Sequence, residues 1–188
     1  MTRIIAGRHK GRRLDVPPGK DIRPTTDRMR ERVFSMLMHR RYPDMAGARV
    51  ADLFAGTGAL GLEALSRGAA HITFVEQAPA SLQCLKANIA TLHAEAETTV
   101  LRANAGALPT SKDAHDFIFM DPPYRMGLVR PALDAILRGG WLAEDGAIIC
   151  ELARDDDTDF PEALELVDER QQGQQRIVFL KKRTDAEG

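Results

Sequence analysis

Residues 50–68, VADLFAGTGALGLEALSRG, constrain this chain more than any other stretch. An apolar run over residues 50–54, carrying one acid at Asp52, breaks into a loop of small residues. A helical pattern follows, with Leu60, Ala64 and Leu65 on one stripe. Strand, glycine loop and helix in this order are how open α/β folds build a ligand site. Backbone approaches a ligand closely only where side chains are missing, and a helix N-terminus adds N–H donors that have no intrahelical partner. Gly56, Gly58 and Gly61 satisfy G-x-G-x-x-G. Glycines also mark ordinary βα turns, so the pattern acquires chemical meaning only from what lies downstream.

Downstream, strand and helix patterns alternate. Residues 71–75 read as a strand closed by Glu76, residues 80–92 as an amphipathic helix, and residues 98–103 as a strand ending at Asn104. Residues 116–120 form the next strand and 128–137 a helix that tolerates Pro131 in its first turn; 147–152 form a fifth strand. Residues 165–170 and 176–182 flank Gln171-Gln172-Gly173-Gln174-Gln175 and read as a closing hairpin. Five alternating strands followed by two consecutive ones predict an α/β fold. Its sheet is mostly parallel, with helices on both faces and one antiparallel strand near an edge. With 188 residues and 44% hydrophobic content, this is the mass of one globular domain with a small appendage.

The appendage is basic. Residues 1–32 hold ten Lys/Arg against four Asp/Glu, a surplus of +6, and the net charge of -1 leaves -7 for the remainder. Two short β-prone pieces, residues 3–6 and 14–16, flank Arg8, Lys10, Arg12 and Arg13. This predicts a hairpin over residues 1–20 with a cationic tip, ahead of a main domain over 21–188. Such a cluster on an acidic body suits a polyanion, since Arg offers a planar fork to phosphate. A helix over about residues 27–40 follows Arg23 and Thr26. Met29, Val33, Phe34, Met36 and Leu37 form its apolar face, with Arg28, Arg30, Glu31 and Arg32 on its charged face. No run is long enough to span a membrane and no apolar signal core opens the chain. Cys84 and Cys150 lack metal-ligand and disulfide-framework spacing, which fits buried thiols in a reducing cytoplasm. The five histidines show no ligand spacing, so no metal is expected.

Asp121-Pro122-Pro123-Tyr124 follows the fourth strand of the alternation. Two prolines fix two φ angles near -65° and remove two N–H donors, which makes the turn stiff. It stands where parallel strands end, the edge at which such folds bind ligands. A carboxylate and the Pro122 carbonyl can both accept from a planar amino group while the aromatic ring stacks on its base. Glu76, twenty residues after Gly56, would end a neighbouring strand beside the loop, where a carboxylate can accept both hydroxyls of a ribose.

Asp52-Leu53-Phe54-Ala55-Gly56-Thr57-Gly58, then Glu76, then Asp121-Pro122-Pro123-Tyr124, resembles class I S-adenosylmethionine-dependent N-methyltransferases with a Rossmann-like, seven-stranded sheet. More narrowly, Gly7-Arg8-His9-Lys10-Gly11-Arg12-Arg13-Leu14, Arg23-Pro24-Thr25-Thr26-Asp27-Arg28 and Gly61-Leu62-Glu63-Ala64-Leu65-Ser66-Arg67-Gly68 resemble the RsmD family. Those enzymes methylate N2 of one guanine, position 966, in bacterial 16S ribosomal RNA. The resemblance implies S-adenosylmethionine as donor, 16S ribosomal RNA within the small subunit or an assembly intermediate as partner, and a monomeric, cytoplasmic enzyme that needs no metal.

By the same resemblance, Asp52, Phe54, Gly56 and Gly58 hold the methionine end of the cofactor, Glu76 its ribose and Asn104 its adenine, with Asp121 beside them. The turn formed by Asp121, Pro122, Pro123 and Tyr124 carries catalysis, and Tyr124 stacks on the base. Arg8, Lys10, Arg12, Arg13, Arg23 and Thr26 meet the RNA. Many members of the wider class have an acid where this chain has Asn104. Three other readings use parts of the same pattern. A nicotinamide dehydrogenase leaves the Asp-Pro-Pro-Tyr turn unexplained. An adenine-N6 methyltransferase shares that turn and differs in the N-terminal motifs. A non-catalytic RNA-binding module explains the basic arm alone.

Overall fold

A computed structural model of the chain describes residues 2–17, 26–38 and 41–184. Arg23 lies outside the described residues, as does the side chain of Thr26. Near the N-terminus, β1 (Thr2–Arg3) pairs antiparallel with β2 (Arg13–Leu14), and α1 (Thr26–Leu37) follows. The alternating core then runs β3 (Arg49–Leu53), α2 (Ala59–Ser66), β4 (His71–Glu76), α3 (Pro79–Thr91), β5 (Thr98–Arg102), β6 (His115–Met120) and α4 (Val129–Arg138). It closes with β7 (Leu142–Ala153), β8 (Leu164–Gln172) and β9 (Gln175–Lys182).

The seven core strands form one sheet in the order β5-β4-β3-β6-β7-β9-β8. Only β9 runs against the others, pairing antiparallel with β7 on one side and with the edge strand β8 on the other. The expected single antiparallel strand near an edge is therefore present. The order places β3 at the switch point: β4 lies on one side and β6 on the other, both parallel to it. A crevice opens beyond the carboxyl ends of strands at such a point.

Central strands are buried on both faces, which is why they read as near-continuous apolar runs. In β6, Phe117 and Phe119 belong to the core shared with α1, α2 and α3, while Ile118 and Met120 belong to the core under α4. Trp141 is buried at the end of α4, where its ring stacks on His115 and its Nε1 donates to the Pro109 carbonyl. Both cysteines are buried and unbridged. No helix among the described residues is long and apolar enough to cross a membrane.

The structure corrects several boundaries. The N-terminal pair is shorter than the two pieces suggested, because residues 6–11 turn tightly. Helix α1 ends at Leu37, and Arg30 leaves the expected charged face: it is 3% exposed. Strand β7 begins at Leu142 rather than residue 147. Leu142 already pairs with His115, and the register shifts over residues 143–146 before pairing resumes at Ala147.

Candidate active site

A cavity of about 390 Å³ opens at the carboxyl ends of β3, β6 and β7. Its floor is the loop after β3, including Phe54, Gly56 and Thr57, and one wall is the Asp121–Tyr124 turn after β6. Met29, Arg30 and Val33 of α1 and Val16 and Pro17 after β2 close it from the N-terminal side. Helix α1 and the segment after β2 are therefore part of the site's wall. The charged residues of the wall, among the described residues, are Asp52, Asp121, Glu151 and Arg30. Two exposed or half-buried carboxylates and the buried acid Asp52 against one guanidinium, itself paired with Asp27, favour a cationic or N–H-rich occupant and disfavour phosphate inside the cavity.

The loop side is built on Asp52. Its carboxylate is 2% exposed and accepts the Gly61 N–H at 2.9 Å, one of the orphan donors in the first turn of α2. Burial pushes its pKa up to about 8, the Gly61 bond pulls the other way, and the nearby Asp121 and Glu76 charges push it further up. Gly58 caps α2 with φ at 79°, a left-handed conformation that strains any residue with a Cβ. At Gly61 the reason is contact, since a Cβ there would stand 2.4 Å from the Phe74 ring. Phe54 itself has φ of 63°, an outlier for an aromatic residue held at the cavity floor.

Glu76 ends β4 and organises the loop from outside the cavity wall. Its Oε2 accepts the Gly56 N–H at 2.8 Å, and its Oε1 accepts the N–H groups of Gln77 and Ala78, each at 2.8 Å. Asn88, 1% exposed on α3, donates to the Thr57 carbonyl and exchanges two hydrogen bonds with the backbone of Asp15. The loop is thus tied both to α3 and to the segment after β2. Asn104 is exposed after β5, where its Oδ1 accepts the Gly106 N–H at 2.8 Å. Gly58, Glu76 and Asn104 do not line the cavity as it stands, whereas Asp52, Phe54 and Gly56 do.

On the opposite side, Asp121, Pro122, Pro123 and Tyr124 all line the cavity. Asp121 is exposed, Pro122 is buried, and the Tyr124 ring is half-buried. The Tyr124 hydroxyl donates to Glu151 Oε1 on β7, and Gln175 Nε2 donates to the same oxygen at 2.9 Å. Burial and the Glu151 carboxylate hold the Tyr124 phenol well above its ordinary range. Burial likewise pushes the Cys150 thiol up, which leaves it an inert neighbour and not a nucleophile.

The basic segment docks on α2. The N–H groups of Ile5 and Ala6 donate to the two oxygens of Glu63 at 2.7 and 3.0 Å, and Ser66 Oγ accepts the His9 N–H and donates to the Ala6 carbonyl. Glu63 is wholly buried and also accepts from Arg67 Nε at 2.7 Å, with Arg30 Nη1 at 4.0 Å. Arg30 in turn donates to Asp27 and to the Arg3 carbonyl. Arg8 pairs with Glu97 at 2.7 Å; Lys10, Arg12 and Arg13 are exposed and enter no ion pair among the described residues. None of these four cations lines the cavity.

Sequence reasoning missed Glu63, Asn88, Glu151 and Gln175. Two of them left a signal: Glu63 and Glu151 are acids inside apolar periods, one in the α2 stripe and one in the Ile-Ile-Cys-Glu-Leu run of β7. A buried acid requires donors, and finding them leads to the arm and to Tyr124. No group of acids, histidines and cysteines suited to a metal occurs among the described residues.

Comparisons with known proteins agree with this geometry. Residues 2–181 match the family model described as Conserved hypothetical protein 95. The chain is 43% identical over 152 residues to Ribosomal RNA small subunit methyltransferase D of Escherichia coli (strain K12), spanning 80% of this chain and 74% of that one. It is 35% identical over 177 residues to the protein of the same name from Haemophilus influenzae, spanning 92% and 89%. The solved structure of the Escherichia coli protein yhhF is 37% identical and superposes with a TM-score of 0.85 over 98% of this chain and 99% of that one. Matched along almost its whole length, the chain belongs to the RsmD family of methyltransferases.

Proposed function

We propose that this protein transfers a methyl group from S-adenosylmethionine to the exocyclic N2 of one guanine in 16S ribosomal RNA. The observation that carries the proposal is one cavity with two different walls: a buried acid under a glycine loop, and a stiff Asp-Pro-Pro-Tyr turn. The names of the relatives support ribosomal RNA of the small subunit as the substrate class. The acid-rich wall fits the proposed cofactor, whose sulfonium and ammonium are both cationic. When bound, S-adenosylmethionine supplies an electrophilic methyl group, so the protein's task is to present the acceptor nitrogen in line with it.

The residues divide that task. Asp52 and the loop at Phe54, Gly56 and Gly58 hold the methionine end. Glu76 serves the ribose and Asn104 the adenine, both from positions just outside the present wall. The amino nitrogen of guanine is a poor nucleophile, because its lone pair is delocalised into the ring. Hydrogen bonds from that group to the Asp121 carboxylate and the Pro122 carbonyl favour a pyramidal nitrogen and stabilise the positive charge that develops on it. With the methyl transferred and S-adenosylhomocysteine left as a neutral thioether, the surplus proton of the nitrogen passes to the exposed Asp121 carboxylate. Alignment contributes more than proton removal, since holding two reactants in place is worth roughly 7–11 kcal/mol. Tyr124 stacks on the extruded base for about 1–3 kcal/mol. Lys10, Arg12 and Arg13 take the phosphates outside the cavity, so the base alone enters the acidic site.

The test is methyl transfer from labelled S-adenosylmethionine to ribosomal RNA and to small-subunit particles from cells lacking this protein, followed by nucleoside chromatography. Label in N2-methylguanosine at one position is the expected result. Label in N6-methyladenosine would assign the adenine reading instead, and absence of transfer to any RNA would refute both.

A further inference from the structure

We propose that Glu151 and Gln175 are positioning residues that lock the Tyr124 ring against the acceptor side of the cavity before a base arrives. This inference rests on reading the Asp121–Tyr124 turn as the acceptor site. The two prolines fix the backbone end of the turn, but a tyrosine side chain still rotates about two bonds. Its far end is fixed by the bond from the hydroxyl to Glu151 Oε1, an oxygen that also accepts Gln175 Nε2 at 2.9 Å. Three separate pieces of chain meet there. Tyr124 follows β6, Glu151 comes one residue after the Cys150 that pairs with Met120, and Gln175 opens β9 opposite Ala153. Bonds to an ionised acceptor are roughly twice as strong as neutral ones, so the arrangement is stiff.

Two consequences follow from the chemistry. The Tyr124 O–H is committed as a donor to Glu151, so the ring offers the base its face and donates no hydrogen bond to it. In the proposed reading, Asp121 and the Pro122 carbonyl accept from the amino group of the base. The β8–β9 hairpin, which carries no reacting group, also becomes part of the acceptor site through Gln175, because it determines where Glu151 points.

The chain contains two tyrosines, Tyr42 and Tyr124. Tyr42 does not line the cavity, and Tyr42→Phe removes its signal while keeping its buried ring. In that background, tyrosinate absorbance reports Tyr124 alone, with no RNA or cofactor present. The groups facing the phenol are Glu151 and Asp121, which oppose ionisation, and Gln175, whose N–H favours it. Glu151→Gln should move the onset of ionisation to lower pH, and an unchanged onset would overturn the proposal.

Kinetics supply the second arm. Tyr124→Phe and Glu151→Ala should each lower kcat about tenfold. KM for RNA and Kd for cofactor should stay within about twofold, and the double variant should be no slower than the slower single one, because both break the same bond. Additive losses would refute positioning. Should Glu151→Ala fail to fold, Tyr124→Phe carries this arm by itself, and an unchanged kcat would refute it. If the wild type methylates no RNA, the functional reading has failed, while the absorbance titration still decides the role of Glu151.

Discussion

Asp52 gives the sharpest quantitative prediction. Its carboxyl is buried in the cavity wall, and its pKa is pushed up to about 8. At pH 7 a carboxyl with that pKa is about 90% protonated. Opposite charge within a few ångströms favours the ionised form, and the proposed cofactor brings an ammonium and a sulfonium. If binding returns Asp52 to the ordinary carboxylate range near 4, each cofactor bound at pH 7 makes Asp52 expel about 0.9 proton. Binding that releases a proton strengthens as pH rises. The Kd should fall close to tenfold per pH unit up to about pH 7, and the gain should cease above about 8, where the cofactor's own ammonium also loses its proton. The same shift acts on folding with the opposite sign. Between about pH 4 and 8 the folded protein without cofactor retains a proton that the unfolded chain releases. Its stability therefore declines across that window by up to about 1.4 kcal/mol per pH unit. Calorimetric titration of cofactor in buffers of different ionisation enthalpy measures the protons directly, as the slope of observed enthalpy against buffer enthalpy. Asp52→Asn should abolish the slope. A slope of zero in the wild type at pH 7, or one that survives in Asp52→Asn, would refute the assignment.

Other expectations concern the remaining walls. Asp121→Ala should remove most turnover while calorimetry finds cofactor affinity within a few-fold; equal loss of both would place Asp121 on the cofactor side. Glu76→Ala should weaken cofactor binding by roughly 10-fold or more and lower Tm, because three backbone N–H groups lose their acceptor. An unchanged Kd would confine Glu76 to shaping the loop. Replacing Lys10, Arg12 and Arg13 with Ala should reduce the slope of log RNA affinity against log salt by about 2, at about 0.7–0.9 per lost phosphate contact. Cofactor Kd and Tm should hardly change, and an unchanged slope would remove the segment from the RNA interface. Glu63→Ala should cost about 3–5 kcal/mol in denaturant unfolding, since it removes the acceptor of Arg67 Nε and of two backbone donors. A cost below about 1 kcal/mol would show that water replaces the carboxylate.

Short-range physics made much of this protein legible in the amino-acid order alone. The period of β3 and α2 announced a strand, loop and helix, because a buried strand and an amphipathic helix must place apolar residues at different spacings. The Asp121–Tyr124 turn was equally plain, because proline stiffness is covalent and needs no neighbour. Alternation of elements implied a parallel sheet ending in a hairpin, and the single reversed strand β9 is where that pattern put it. Tertiary structure decided which side chains meet. Arg30 belongs to a charged helical face by spacing, yet it is buried because Glu63 of α2 and the Arg3 carbonyl lie beside it in the folded chain. Glu76, expected beside a ligand, accepts the Gly56 N–H twenty residues earlier and does not line the cavity. Glu151 finds Tyr124 across twenty-seven residues of chain and Gln175 across twenty-four. Local propensity sets φ and ψ residue by residue, but a buried polar group is satisfied by whichever element the packing brings within about 3 Å, and that choice belongs to the whole fold.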